Sequence, residues 1–338
     1  MLSGRANRLF AVKSPWAVPY SLCDLDFANG RYFGDLSPTI LYCPRATQGT
    51  DLLYTSPNGA SFRTFAPVEP RITPGLGLLS EDSRTNFLLN SGSPATQTTA
   101  SLATGTYSLW VNGSGSATPS AGTATITGAA AATQGAPNTF VVTAPGTVTV
   151  TVAGSLHQFQ CELCESTTGY PTSYIPTAGA IASRAADGIE SSTLVRTPST
   201  GLIAVSAKVY PLAPLTNVSD QTIAEVINIV GSQYVRLLRA NTTGFATVIE
   251  GLPGPISTTV STGVALAAGV SKTVSTIAYA GHVQANVNNA SLTSGVITGG
   301  PCAMVYFFIG QDVNTSHYFQ GYIQRLVIGG LSQLGVVL

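Results

Sequence analysis

Alternation of apolar and polar residues dominates the middle of this chain. In "TVTVTV", Val148, Val150 and Val152 project to one side and the intervening threonines to the other. That is the pattern of a strand with one face on a core and a neutral polar face in water. The same period of two runs through "TYSLWVNG" (106–113), "TATITG" (123–128) and "NTFVVTAPGTVTVTVAG" (138–154), broken by Gly, Pro and Asn. Short antiparallel strands are expected there. Further on the candidates lengthen: "LIAVSAKVYPL" (202–212), "YVRLLRA" (234–240), "FATVIEG" (245–251), "VSTIAYAGHVQANVNNA" (274–290), "AMVYFFIG" (303–310) and "FQGYIQRLVIGG" (319–330). "SDQTIAEVINIV" (219–230) reads either as a short helix capped by Ser219 or Asp220 or as one more strand. No fixed-period repeat is present, which argues against a solenoid or propeller. Many strands at regular spacing predict an all-β protein built from antiparallel β-sandwiches.

Charge divides this pattern. Fifteen basic and fifteen acidic residues among 338 give no net charge, and the charged fraction is 9%. Half of the charges lie in residues 1–84, none between Thr85 and Cys161, and the rest are spread thinly after that. The first part is rich in Pro, Gly and Asn, with short apolar pieces such as "TILYC" (39–43) and "TDLLYT" (50–55). It reads as an irregular arm that lies against a partner or the next domain. Between the two strand-rich regions runs "TGYPTSYIPTAGAIASRAAD" (168–187). Pro171 and Pro176 stiffen it and force their predecessors into extended backbone. Tyr170 and Tyr174 are expected to lie flat on a domain surface with their hydroxyls in solvent. The expected organisation is an N-terminal attachment arm (1–80), an uncharged β-sandwich (81–167), a connector (168–189) and a second β-sandwich (190–338).

So neutral a chain favours association. It also lacks the basic surplus that phosphate neutralisation needs, so nucleic acid is not an expected partner. The start "MLSGRANRLFAVKSPW" has no apolar core of signal-peptide length, and no run of 18 apolar residues predicts a membrane span. Export by the general secretory route and membrane insertion are not expected.

The chemistry-bearing residues are sparse. Five cysteines occur, Cys23, Cys43, Cys161, Cys164 and Cys302. An odd number leaves at least one thiol outside any intrachain pairing. A lone Cys161-x-x-Cys164 without a second pair or suitably spaced histidines predicts no metal site. Disulfides involving Cys23, Cys43, Cys161 or Cys164, within or between subunits, are the remaining candidate use. The acids Asp187, Glu190, Asp220, Glu225, Glu250 and Asp312 are far apart and read as isolated surface or loop groups rather than a glycosidase pair. His157, His282 and His317 lie in no triad-like context, and no Gly-rich loop leads into a helix and Lys. No cofactor and no catalytic residue is predicted, and the protein is expected not to be an enzyme. The most polar loop, "GQDVNTSHYFQG" (310–321), groups Asp312, Asn314, His317 and Tyr318 as a candidate ligand rim. The alternative is an ordinary hydrophilic connection.

Two segments also carry a family resemblance. "YPTSYIPTAGAIASRAAD" resembles a Pro-Thr-Ser-Tyr-Ile-Pro-Thr run ending in Arg-Ala-Ala-Asp that occurs in many tailed-bacteriophage virion and prophage tail proteins; Ser183, Arg184, Ala185, Ala186 and Asp187 match its end. "GLGLLSEDSRTNFLLNS" (75–91) resembles a second segment of the same proteins, with Glu81, Arg84, Thr85 and Asn86 at the matching positions. The chain departs from the pattern at Glu162-Leu163-Cys164, where the family has Gln-Leu-Glu. The last 150 residues resemble a concanavalin A or laminin-G-like jelly roll. These resemblances imply a virion structural protein, a fibre, spike or decoration on tail, neck or head. They also imply a homotrimer, contacts with other virion proteins, and exposure on the mature particle after assembly in the host cytoplasm. A glycan-binding module for host attachment is the alternative function, and a polysaccharide depolymerase ranks behind it.

Overall fold

The computed structural model describes residues 21–34, 41–43, 49–50, 64–164, 170–191, 203–212, 220–228, 234–241, 243, 245–251, 257–279, 282–288, 293–296, 304–311 and 318–329. Every regular element among them is a β-strand, and every strand ladder is antiparallel. The segment with two readings is a strand, Gln221–Asn228. Its β-branched residues pack between two neighbouring strands, which removes the helical alternative.

Two sheets make the C-terminal jelly-roll-like sandwich. One runs in the order Ser257–Ala265, Phe245–Gly251, Tyr234–Arg239, Gln221–Asn228, Met304–Ile309, Ile189–Ser191 and Leu41–Tyr42. The other runs Arg31–Gly34, Ser21–Asp26, Gly321–Gly329, Ile203–Pro211, Lys272–Tyr279, His282–Val287 and Thr293–Val296. Gly77–Ser80 adds to this second sheet along Gly321–Gly329 and pairs with Ile72–Thr73. Alternate residues of facing strands fill one core: Val205, Ala207, Val209, Leu326 and Ile328 meet Val226, Leu237, Phe307 and Ile309. Leu25, Phe27, Cys43 and Leu78 belong to the same core. The charged, turn-rich first part of the chain thus supplies strands to both sheets.

The uncharged region forms a six-stranded sheet, in the order Thr125–Thr127, Asn138–Ala144, Gly105–Ala121, Val148–Cys164 and Gln97–Thr98, with Ala132–Thr133 paired to Gly105–Ala121. Its two 17-residue strands pair from Thr106↔Cys164 to Ala121↔Val148, with one register shift between Asn112 and Gly113. Gly113 has φ of 126°, and a Cβ there would meet Ser155 O at 2.6 Å, so glycine is required at the bulge.

The bulge separates two regimes. On the Val148 side the expected alternation holds: Ala117, Val148 and Val150 are buried while Ser120 and Thr151 are exposed. On the other side both faces are buried. Tyr107, Leu109, Val111, Phe159 and Cys161 enter the core, while Ser108, Trp110, Asn112, Gln160 and Glu162 are buried on the opposite face. What covers that second face is the connector.

Candidate functional site

Residues 170–177 contain no regular secondary structure, yet Pro171, Thr172, Ser173, Tyr174 and Ile175 are all buried. A buried segment outside any ladder must have its backbone groups satisfied otherwise. Here side chains do it. Thr172 N–H donates to Glu162 Oε1 (2.5 Å), Ser173 N–H to Glu81 Oε1 (3.0 Å), Ile175 N–H to Gln160 Oε1 (2.6 Å) and Thr177 N–H to Ser91 Oγ (2.8 Å). The carbonyls accept in turn: Tyr174 O from Thr50 Oγ1 (2.7 Å), Ile175 O from Asn86 Nδ2 (2.9 Å), and Ser173 O from Gln160 Nε2 (3.3 Å). The connector is therefore a strap fastened across the sheet. Tyr174, expected to place its hydroxyl in solvent, is 3% exposed instead. Its hydroxyl bonds Ser91 Oγ at 2.7 Å and its ring meets Trp110 edge-on, 5.9 Å between centroids. A polar handle inside the protein needs such a partner.

Beside the strap lies a buried cluster of ions. Arg71, with no exposed side-chain surface, donates from Nε to Asp187 Oδ1 (3.0 Å) and from Nη2 to Asp187 Oδ2 and to Glu81 Oε2 (2.8 Å). Its Nη1 reaches Thr50 O (2.9 Å) and Ser173 Oγ (2.5 Å). Arg184 binds the same two carboxylates, Glu81 at 3.3 Å and Asp187 at 3.2 Å, and also Asp82 O at 2.8 Å. Arg84 pairs with Asp82 at 3.4 Å. Burial alone would push the Glu81 carboxyl up. The guanidiniums of Arg71 and Arg184, with hydrogen bonds from Ser173 and Arg71, outweigh burial and hold it below its ordinary value. Burial lowers Arg184 to about 10, against the pull of Glu81. Glu162 is the opposite case. Burial dominates and raises it, although Arg84 and the Thr172 hydrogen bonds favour its charge.

Chain connectivity places this lock where the two β-units meet. Ser80, at the end of a jelly-roll strand, precedes Glu81; Asp187 lies two residues before the jelly-roll strand Ile189–Ser191. Asp187 N–H donates to Glu81 O at 2.9 Å and Ser80 Oγ to Gly310 O at 3.2 Å. Glu162 and Gln160 come from the uncharged sheet. The two segments that carry the family resemblance pair directly, Ala182↔Asn86, Ser183↔Thr85 and Arg184↔Arg84. Asn86 goes on to accept Cys161 N–H at 3.1 Å and Leu88 N–H at 3.1 Å. The arrangement can clamp: the side chains of Glu81, Glu162 and Asp187 are buried, and that of Asp82 is 13% exposed.

Several expectations change here. Asp187 and Glu225 are not isolated surface acids: both are buried, and Glu225 pairs with Arg236 Nη2 at 2.9 Å. Cys43, Cys161 and Cys164 are free, buried thiols. Three residues apart on a strand, Cys161 and Cys164 point to opposite faces. Burial raises both, Cys164 to about 12. Cys23 sits in the strand Ser21–Asp26, opposite Gly34 and Ile328, and its side chain lies outside the described residues. Of the candidate rim, Asp312, Asn314 and His317 lie outside the described residues. Tyr318 is half-buried and bridges to Thr222. No group of three or more metal-ligating side chains occurs among the described residues.

Sequence comparison finds no matching family model and no matching curated protein. Solved structures do match in part. Domains LG4-5 of the mouse laminin alpha1 chain are 18% identical over 40% of this chain and 37% of that one, with a TM-score of 0.32. The CBM40 domain of a Ruminococcus gnavus sialidase bound to α2,3-sialyllactose is 16% identical over 42% of this chain and 89% of that one, TM-score 0.32. Domain 4 of a GH43 extracellular arabinanase from Geobacillus stearothermophilus, in complex with arabinotriose, is 18% identical over 48% and 76%, TM-score 0.35. Each match spans less than half of the present chain, and the chain spans little more than a third of the laminin fragment. The all-β, antiparallel, jelly-roll-like architecture rests on the strand order described above.

Proposed function

We propose that this protein is a structural component of a tailed-bacteriophage virion, a fibre, spike or decoration that acts by assembly rather than by catalysis. The observation that carries the reading is the convergence of the resembling residues. Glu81, Arg84 and Asn86 from one segment, and Arg184 and Asp187 from the other, all enter one buried network that fastens two β-units together. A part of a particle has to hold its shape, and a lock of this kind resists bending at the joint. The absence of net charge supports association, and homo-oligomers close by symmetry. The state proposed is a trimer in contact with other virion proteins. Light scattering on the purified full chain tests this. A trimer or larger, unchanged by reductant because Cys43, Cys161 and Cys164 are buried thiols, is the expected result. A stable monomer at tens of micromolar overturns it.

A second reading, attachment to a host glycan, draws on the neck of the loop 310–319. Gln311, Gln320 and Thr222 are buried there beside Tyr318, each with one polar atom that finds no hydrogen-bond partner among the described residues. Neutral donors and acceptors of this kind suit hydroxyl groups. Glycan-array binding that disappears in Tyr318→Ala would favour this reading, and a blank array would remove it.

A further inference from the structure

Asn-Gly occurs three times in the chain, at Asn29-Gly30, Asn58-Gly59 and Asn112-Gly113. The step is chemically special. Glycine has no Cβ, so its amide nitrogen can reach the carboxamide carbon of the asparagine before it. The fold treats two of the three differently. Asn29 and Gly30 are both exposed, in the turn between the strands Ser21–Asp26 and Arg31–Gly34. Gly30 has φ of 62°, and nothing lies within 4 Å of where its Cβ would stand. Asn112 is 1% exposed, opposite Gln158 in the long hairpin, and its Nδ2 donates to Gln158 Oε1 at 2.9 Å. A Cβ on Gly113 would meet backbone atoms of Ser155, Leu156 and His157 at 2.6, 2.9 and 3.0 Å. Closing a ring there requires the ladder to open. Asn58 lies outside the described residues.

We infer that Asn29-Gly30 is a site of spontaneous backbone modification, and that the modification loosens an edge strand of the jelly-roll-like sandwich. Hydroxide takes the proton of the Gly30 N–H, and the nitrogen attacks Asn29 Cγ. A C–N bond forms and closes a five-membered succinimide. The bond from Cγ to Nδ2 breaks, and the amine leaves as ammonia with a proton from water, which restores the hydroxide. A second water opens the ring at either carbonyl and leaves aspartate or isoaspartate. The sum is asparagine and water to acid and ammonia, with nothing oxidised or reduced. The carboxamide that is lost is also what closes the turn. Its Nδ2 donates to Asp26 Oδ1 (3.0 Å) and Oδ2 (2.9 Å), and the Asn29 N–H donates to Oδ1 at 3.2 Å. These bonds lie in solvent, where water competes for both partners. After hydrolysis the donor is gone and a second carboxylate faces Asp26, which repels it. Isoaspartate also lengthens the turn by one backbone atom. The two sides of the turn are held unequally. Ala28 is fixed by Gln324 O and by Gly75 N–H, and Ser21–Asp26 is laddered to Gly321–Gly329. Arg31–Gly34 is outermost in its sheet, and among the described residues its ladder is with Ser21–Asp26. The Gly30 side therefore gives way, and Tyr32 is drawn from its edge-on contact with Phe27.

Peptide mapping of the full chain, aged in neutral and in mildly alkaline buffer, tests the site. Trypsin cuts after Lys13 and Arg31 and so separates Asn29 from Asn58 and Asn112. The Asn29 peptide should convert from amide to acid in the folded protein, several-fold faster in the alkaline buffer, while Asn112 converts only in denaturant. An Asn29 that stays amide in the folded chain and converts once denaturant is added overturns the site. Equal conversion of Asn29 and Asn112 in the folded chain overturns the selection by the fold. Amide hydrogen exchange tests the consequence. In aged protein the Arg31–Gly34 amides should lose protection in step with the converted fraction, with Gly321–Gly329 unchanged. Aged Asn29→Gln should keep its protection. Equal protection in fresh and aged wild type, or the same loss in aged Asn29→Gln, overturns the loosening; the wild-type comparison alone decides if the variant fails to fold.

Discussion

Arg71→Ala is the perturbation that bears hardest on the lock. The side chain has no exposed surface and satisfies five acceptors on four residues: two oxygens of Asp187, one of Glu81, Thr50 O and Ser173 Oγ. Truncation leaves Glu81 and Asp187 sharing Arg184, at 3.3 and 3.2 Å. Removing one partner of a buried ion pair costs about 3–5 kcal/mol, because the other charge stays buried. Orphaning the Thr50 carbonyl adds about 1–3 kcal/mol, and the two terms overlap in one network. The expected loss is about 5 kcal/mol. Urea unfolding followed by both Trp110 fluorescence and far-UV circular dichroism measures it. The fluorescence transition should move to lower urea by the larger amount, since Trp110 sits under the strap while each β-unit keeps its own apolar core. A double variant, Arg71→Met with Asp187→Leu, leaves Glu81 paired with Arg184 and should recover at least about 2 kcal/mol of the loss. A destabilisation by Arg71→Ala below about 1 kcal/mol, the range of an exposed pair, would refute the reasoning.

Two further outcomes are expected. Glu81 is held below the ordinary carboxylate range, so its contribution is complete above the unfolded value and disappears as pH falls through the folded one. Wild-type stability should drop on acidification below about pH 4, and Glu81→Gln should start lower and flatten that limb; an unchanged acid limb in the variant would assign it to other carboxyls. In a thiol titration of the native protein, Cys43, Cys161 and Cys164 should stay unreactive until denaturant is added, leaving at most two of the five cysteines to react early. Three or more fast thiols would contradict their burial.

The strands were legible in the sequence because a half-buried sheet imposes a period of two. "FATVIEG" and "YIQRLVIG" lie in strands within a residue or two of the expected bounds, whereas "TVTVTV", expected in a short strand ending by 154, opens the 17-residue strand Val148–Cys164. The stretch "SLWVN" was harder to place on a surface. It lies before the bulge at Gly113, where both faces are covered, and Ser108 and Asn112 are as buried as Leu109 and Val111. Periodicity cannot register a polar face covered by a strap of no regular structure. The lock was hidden for a related reason. Arg71, Glu81, Glu162 and Asp187 are up to 116 residues apart, and each alone reads as a surface charge. One signal was available: two charge-bearing segments, 81–86 and 183–187, flank a long run with no charge at all. Charges kept only at the two ends of a neutral domain invite pairing with each other. Tyr174 misled because Tyr beside Pro suits a surface equally well; its burial follows from Ser91 and Trp110, which sequence spacing does not bring near.

The central claim is that residues 170–177 of the connector are a fixed part of the protein although they belong to no sheet. Amide hydrogen exchange tests it most directly. The N–H groups of Thr172, Ser173, Ile175 and Thr177 each donate to a buried side chain, on Glu162, Glu81, Gln160 and Ser91. All four should be protected as strongly as amides in the paired strands Gly105–Ala121 and Val148–Cys164. Exchange at the rate of an open loop, with those strands still protected, would show the connector to be a loose tether and would contradict the account.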